Sequence, residues 1–338
     1  MKKLIDIYLA KKLAGKPIVK SMQGFTLIEI MIALVLGLVL MSGLIQILIN
    51  SNNAFRMQSE LERVQETGQF AMAYLAQDIR NADYWGCLIG PTNVVNDLAN
   101  TSGYYNFSAG LAGTANQATG GSIVAGTDTI TVSGAQTSAG TNEVLMPYPV
   151  ATTSPIVTTS SSNFAAGTIV LVSDCLAGDI FQVTNANAST GSLSHATGIG
   201  SPGNASSTVS KIYSAGAFVY LPYTHMYSIQ TDPNSIPSLF LTTASGSQEL
   251  LSNVENMLIL YGVDTDGNGA ANIYVRANQV NNMTNVVSVR LNLVVRSADN
   301  NVLTSPQSYI LNGQTVTPTD NRLRRVYTQT LSLRNRMQ

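Results

Sequence analysis

The chain has 338 residues, a formal net charge of −1 and only 11% charged side chains. That length holds one large or two small domains with ample core, and the sparse charge offers no basic face of the kind a nucleic-acid partner requires. The one basic cluster beyond the first 24 positions is C-terminal, Arg322, Arg324, Arg325, Arg334 and Arg336, and alternation along a terminal strand would turn these outward.

The head carries Lys2, Lys3, Lys11, Lys12, Lys16 and Lys20 against one acid, Asp6. Gly24-Phe25-Thr26-Leu27-Ile28-Glu29 follows, and then an apolar run from Ile30 to Ile49 with no charge. Phe25 to Ile49 reaches the roughly 20 residues a helix needs to cross a bilayer. The preceding lysines keep the head in the cytoplasm under the positive-inside rule. Without the head the chain has a charge near −6. Glu29 is the single charge between Phe25 and Arg56, and a carboxylate within a span is costly enough to mark function by default. A secretory signal would place a small-residue cut site after its apolar segment. Here Asn50-Ser51-Asn52-Asn53-Ala54-Phe55 follows, without that pattern. The plainer alternative is an uncut anchor with a chance Glu.

The Gly24/Phe25 junction, Glu29 and their flanks resemble the prepilin signal of type IV pilins and the related pseudopilins. The resemblance implies cleavage after Gly24 by a prepilin peptidase, N-methylation of Phe25 and an assembly role for Glu29. Cleavage would create an amine on Phe25, about one helical turn from Glu29. Pairing of that amine with a Glu29, within one helix or between subunits, would remove two charges from an apolar bundle, and losing one partner would strand the other. The resemblance implies the intersubunit pairing.

Beyond the span, Met57, Leu61, Val64, Gly68, Ala71, Leu75 and Ile79 recur at spacings of three or four, an amphipathic helical stripe. Arg56, Glu60, Glu62, Arg63, Glu66 and Asp78 lie off it and read as a solvated face. No proline interrupts Phe25 to Gly86, and Asn81 to Gly86 reads as the helix end. Major pilins often carry a proline halfway along the apolar half, where Gln46 stands here, with Gly37 and Gly43 nearby. The expected divisions are a leader at 1–24, a membrane and filament-core helix at 25–49, its amphipathic continuation at 50–86, and a β-rich domain at 87–338.

Residues 108–166 and 184–210 are rich in Ser, Thr, Ala and Gly. They read as loops with short strands such as Thr129-Ile130-Thr131-Val132. Firmer strands follow at 168–173, 180–183, 217–221, 239–242, 257–261, 272–276 and 326–333. Val287, Val289, Leu291, Leu293 and Val295 alternate on one face of another. A long helix followed by many strands predicts an α+β, pilin-like fold, the helix packed on an antiparallel sheet. Cys87 and Cys175 both fall in the exported part, where a disulfide is expected. Closing almost ninety residues, it would contribute on the order of 4 kcal/mol. Two separate buried thiols are the alternative.

Asp264-Thr265-Asp266-Gly267-Asn268-Gly269 fits the first half of a calcium loop. The bidentate Glu that would complete it is replaced by Val275. Asp264, Asp266 and Asn268 are therefore candidate calcium ligands, and a polar hairpin turn is the competing reading. No other cofactor is expected. His195 and His225 read as ordinary polar residues, and no nucleophile, acid and base share a catalytic spacing. No phosphate-binding Gly-rich loop is present either, so an enzyme is not expected.

Tyr84-Trp85-Gly86-Cys87, the block from Val254 to Gly267, Val294-Val295-Arg296-Ser297 and Leu333-Arg334-Asn335 resemble the PilW group of minor pilins. The group is itself similar to the J-type minor pseudopilin of type II secretion. The resemblance covers the helix and much of the C-terminal third. It implies a low-abundance subunit that primes pilus assembly and sits at the tip. The implied partners are other minor pilins, the major pilin, a PilY-type adhesin, the prepilin peptidase and the inner-membrane assembly platform. The implied location is the inner membrane, with the C-terminal domain in the periplasm, and then the extracellular pilus. A pseudopilin of a secretion machine and a membrane-anchored binding protein or enzyme that keeps its leader remain as alternatives.

Overall fold

The computed structural model describes residues 24–118, 121–137, 151–159 and 164–336. The lysine head, all of the expected leader except Gly24, and parts of the Ser/Thr-rich stretch lie outside these residues. The chain divides into two compact units between Phe55 and Arg56.

Helix α1 runs from Leu27 to Asn81. No proline interrupts it, and it continues unbroken through Gly37, Gly43 and Gln46. In its first unit every side chain from Gly24 to Phe55 is exposed. The stretch is long and apolar enough to cross a membrane. Two of its polar groups are satisfied locally: Ser42 Oγ donates to the Val39 carbonyl at 2.8 Å, and Gln46 Nε2 donates to Asn50 Oδ1 at 3.2 Å. Such local bonds lower the cost of polar groups in an apolar medium.

The second unit begins with the amphipathic half of α1. Val64, Gly68, Ala71, Met72, Leu75, Ala76 and Ile79 are buried, and the periodicity that predicts them is helical. An eight-stranded sheet contains β1 (Val94–Asn96), β2 (Leu111–Thr114), β3 (Thr129–Thr137), β4 (Ile169–Ser173), β5 (Gly178–Gln182), β6 (Phe218–Thr231), β7 (Pro237–Thr243) and β8 (Gly246–Ser252). All its pairs are antiparallel except β1 with β5. Strand β6 organises it. One edge pairs β3 from Tyr220 to Tyr227, and the other meets β4 at Phe218–Tyr220 and β7 at Met226–Thr231. A second, antiparallel sheet has the order β10-β9-β11-β12, with β9 Val254–Val263, β10 Ile273–Val275, β11 Val286–Arg296 and β12 Arg324–Ser332.

The helix shares one core with both sheets. Leu75 and Ile79 join Tyr227 and Ile229 of β6, Met257 and Ile259 of β9, and Leu291 and Leu293 of β11. The expected face of β11 is realised, but Ser288, Asn292 and Val294 on its other face are buried too, because that face is also covered. The β4–β5 corner is sandwiched between two further clusters. Val170, Val172 and Phe181 face one, with Tyr213 and Val209. Leu171 and Ile180 face the other, with Trp85 and Phe107. The stretch read as loop-rich thus supplies β2 and β3, a nine-residue strand central to the larger sheet.

Two surface readings are corrected. Glu60 is buried, and its Oε2 accepts the N–H groups of Ala298 (2.9 Å) and Asp299 (3.4 Å), so it seats a turn against the helix. Asp78 faces β6, where its Oδ2 lies 2.5 Å from both His225 Nδ1 and the Tyr227 hydroxyl. Nor do the C-terminal arginines all alternate outward: Arg324 and Arg336 point inward onto carboxylates.

Candidate functional site: the two ends of the helix

At the helix start, Gly24 to Thr26 precede the first helical residue, and Phe25 is 78% exposed. The Thr26 carbonyl accepts the N–H of Glu29 at 3.1 Å and of Ile30 at 3.2 Å, and Thr26 Oγ1 accepts the Glu29 N–H at 3.3 Å. Thr26 is therefore the N-cap. The Thr-x-x-Glu spacing from Thr26 to Glu29 is the local sequence signal for that cap. Glu29 stands in the first turn, where a negative charge is favoured by the helix dipole. Among the described residues no donor reaches its carboxylate. A Cβ built on Gly24 would meet nothing within 4 Å. The arrangement presents a small residue, an exposed aromatic ring and an unpaired acid at the start of an uncovered apolar helix.

At the other end the motif residues converge. Asp83, just past the helix, adopts a left-handed conformation with φ 64°. Its Oδ1 accepts the Trp85 indole N–H at 2.8 Å, and its Oδ2 accepts Arg336 Nε at 2.5 Å. Asn335 Nδ2 donates to the Ala82 carbonyl at 2.9 Å. The helix exit and the C-terminal Leu-Arg-Asn segment are thus one clamp, a role that spacing alone does not reveal because 253 residues separate the partners. Cys87 and Cys175 form a disulfide that ties the ribbon Tyr84–Trp85/Leu88–Ile89 to the turn between β4 and β5.

The Asp264 loop joins β9 to β10. Asp264 Oδ1 accepts the N–H of Gly267 at 2.7 Å, and Oδ2 that of Gly269 at 2.7 Å. Asp266 accepts from Asn268 and Asn272, and Asn268 Oδ1 from the Ala270 N–H. The Gly269 N–H, foremost among these donors, holds the Asp264 carboxyl below its usual range. The three candidate ligands thus close a self-bonded turn, which is the hairpin chemistry of Asp, Asn and Gly. Val275 is in β10, paired with Tyr261. His195 is buried on Phe181, with Nε2 3.1 Å from the Ser154 carbonyl.

Comparison with known families falls on these same two regions. A family described as the prokaryotic N-terminal methylation motif matches residues 19–45, which include Gly24, Phe25 and Glu29. The family of type IV pilus-assembly protein W matches residues 226–335, from within β6 to Asn335 of the clamp. These two matches support a PilW-type minor pilin. No curated relative and no solved structure matches the chain significantly. The PilW region takes in the four-stranded sheet and the last turns of the pilin, whereas residues 46–225 fall outside both matches. The pilin family is a structural one, and the N-terminal motif with its apolar helix points to a membrane-anchored pilin.

Proposed function

We propose that this chain primes assembly of a type IV pilus and forms part of the complex at the pilus tip. A prepilin peptidase removes the leader at Gly24/Phe25, and Phe25 is then N-methylated. The observation that carries the proposal is the unpaired Glu29 at the start of an apolar helix whose side chains are exposed all round. In lipid or in a filament core that carboxylate requires a partner, and the amine of a neighbouring Phe25 has the complementary charge.

The protein waits in the inner membrane with its second unit in the periplasm, then moves into the pilus beside other minor pilins, the major pilin and a PilY-type adhesin. The Arg56–Gln338 unit acts as a binding and assembly module without catalysis. Calcium at Asp264, Asp266 and Asn268 would have to displace the loop's own hydrogen bonds. A calcium-dependent rise in melting temperature, abolished by Asp264→Ala, would establish that site.

The test of function is the N-terminal residue and mass of the protein recovered from membranes and from sheared pili. A chain beginning at methylated Phe25 in the sheared fraction supports the proposal. A chain that keeps its leader overturns it. A processed chain whose deletion abolishes secretion and leaves twitching intact replaces it with a minor pseudopilin of type II secretion.

A further inference from the structure

Two acids meet where β1 runs parallel to β5. Val95 is in register with Asp179, and Asp97, two residues on, returns to the same face. Asp97 remains in the ladder through its N–H, which donates to the Ile180 carbonyl at 2.9 Å. The two carboxyls are diagonal neighbours on that face, near enough to interact. Asp179 is fully buried and Asp97 is 9% exposed.

The segment from Asn204 to Tyr213 crosses over them. At one end the Ala205 N–H donates to the Asp97 carbonyl at 2.7 Å, next to the Leu98–Asn204 bridge. At the other, Ser210 donates its N–H to Asp179 Oδ1 at 2.7 Å and its hydroxyl to Oδ2 at 2.6 Å, and the Tyr213 hydroxyl also donates to Oδ2. All three donors go to Asp179. Asp97 Oδ2 is buried with no partner.

Two ionised carboxylates at such a site repel strongly, and one of them is expected to hold a proton. The charged and titratable groups around them offer no relief. Lys211, on the crossing segment, is engaged by Asp174 at 2.5 Å, Tyr213 is already a donor to Asp179, and among the described residues no cation pairs with either acid. A calcium ion takes six to eight oxygens, and Asp179 already accepts three hydrogen bonds. A proton between the carboxyls satisfies the orphaned oxygen with the least rearrangement.

We infer that Asp97 and Asp179 share one proton, and that this proton holds β1 to β5 beneath the Asn204–Tyr213 segment so that the corner loosens as the pH rises. Burial first, and then the neighbouring Asp179 charge, push the Asp97 carboxyl up to about 7. Its folded value lies above its unfolded one. The folded state therefore binds the extra proton between about pH 4 and about pH 7, and stability falls with rising pH across that window.

The test is thermal unfolding of the full chain in detergent, for wild type and Asp97→Asn, whose amide supplies Asp179 with a permanent donor. The variant is expected to melt several degrees above wild type near pH 8 and to match it near about pH 4.5. A variant that melts below wild type near pH 8, or keeps the full wild-type pH dependence, overturns the inference. So does calcium that stabilises wild type near pH 8 and leaves the variant unchanged, which would put a cation where the proton is placed. Should Asp97→Asn fail to fold, the infrared band of a protonated carboxyl in wild type near pH 6 decides. Its loss between about pH 6 and about pH 8 supports the shared proton, and its absence near pH 6 overturns it.

Discussion

The four-stranded sheet and the β1–β5 corner bury carboxylates by opposite means. In the four-stranded sheet Arg324, 4% exposed, forks onto two acids. Its Nε lies 2.6 Å from Glu255 Oε2 and its Nη2 2.9 Å from Oε1, while Nη1 and Nη2 reach the two oxygens of Asp320 at 2.5 and 3.0 Å. Hydrogen bonding by Arg324, foremost among the causes, holds the Asp320 carboxyl down at about 2. The β1–β5 corner has two acids and no such cation. One region is built around full ionisation, and the other tolerates only one charge where two acids stand.

The comparison has a pH signature. The contribution of Asp320 is complete above about pH 4 and is lost as the pH falls through about 2. The penalty at Asp97 grows from about pH 4 to about 7. Greatest stability is therefore expected on the acid side of neutrality, between the two windows. Unfolding of the full chain in detergent across pH measures it directly, and a maximum above neutral pH would contradict the assignment at Asp97.

The largest single effect is expected from the disulfide that braces the corner. With its cysteines 88 positions apart, Cys87→Ser should cost on the order of 4 kcal/mol in denaturant unfolding, and an unchanged midpoint would show that the hydrogen-bonded corner stands without it. Next is Arg324→Leu, which leaves Glu255 only the longer pair with Arg296 (4.0 Å) and Asp320 only the one with Arg322 (3.7 Å). About 3 kcal/mol is expected, the low end for a broken buried pair because both acids keep some exposure. That variant should also weaken the acid limb of the pH profile, where Arg322 still acts on Asp320, and keep the limb near neutrality, which separates the two regions in one titration.

Gly68→Ala tests the seat of the helix on the four-stranded sheet. A Cβ there would lie 2.2 Å from the Tyr327 ring, whose hydroxyl donates to the Val64 carbonyl at 3.0 Å. The helix-propensity gain of about 1 kcal/mol is opposed by overpacking of about 1–3 kcal/mol, so a net loss of about 1 kcal/mol is expected. In a Tyr327→Ala background the same change should become neutral or stabilising. The smallest effect on stability belongs to Glu29→Ala, whose carboxylate has no hydrogen-bond or ion-pair partner among the described residues. Its unfolding midpoint should not move, while its recovery in sheared pili should drop sharply. Normal incorporation would count against the pairing with Phe25.

By itself the sequence determined the features that local spacing encodes. The charge pattern around Gly24, Phe25 and Glu29 marks the N-terminal signal, the spacing from Val64 to Ile79 marks the buried stripe of α1, alternation from Val289 to Val295 marks a core strand, and an even cysteine count beyond the apolar segment marks the disulfide. Tertiary structure alone decided which polar residues go inside. Glu60 and Asp78 lie off the apolar stripe yet meet the Ala298 turn and β6. Arg324 and Arg336 find acids far from them in the chain, and Asp97 meets Asp179 only because β1 pairs with β5. Periodicity states which way a side chain points, whereas burial depends on what covers that face. In the Ser- and Thr-rich strands the covering partners are distant in sequence, and polar side chains held by hydrogen bonds leave no apolar pattern to read.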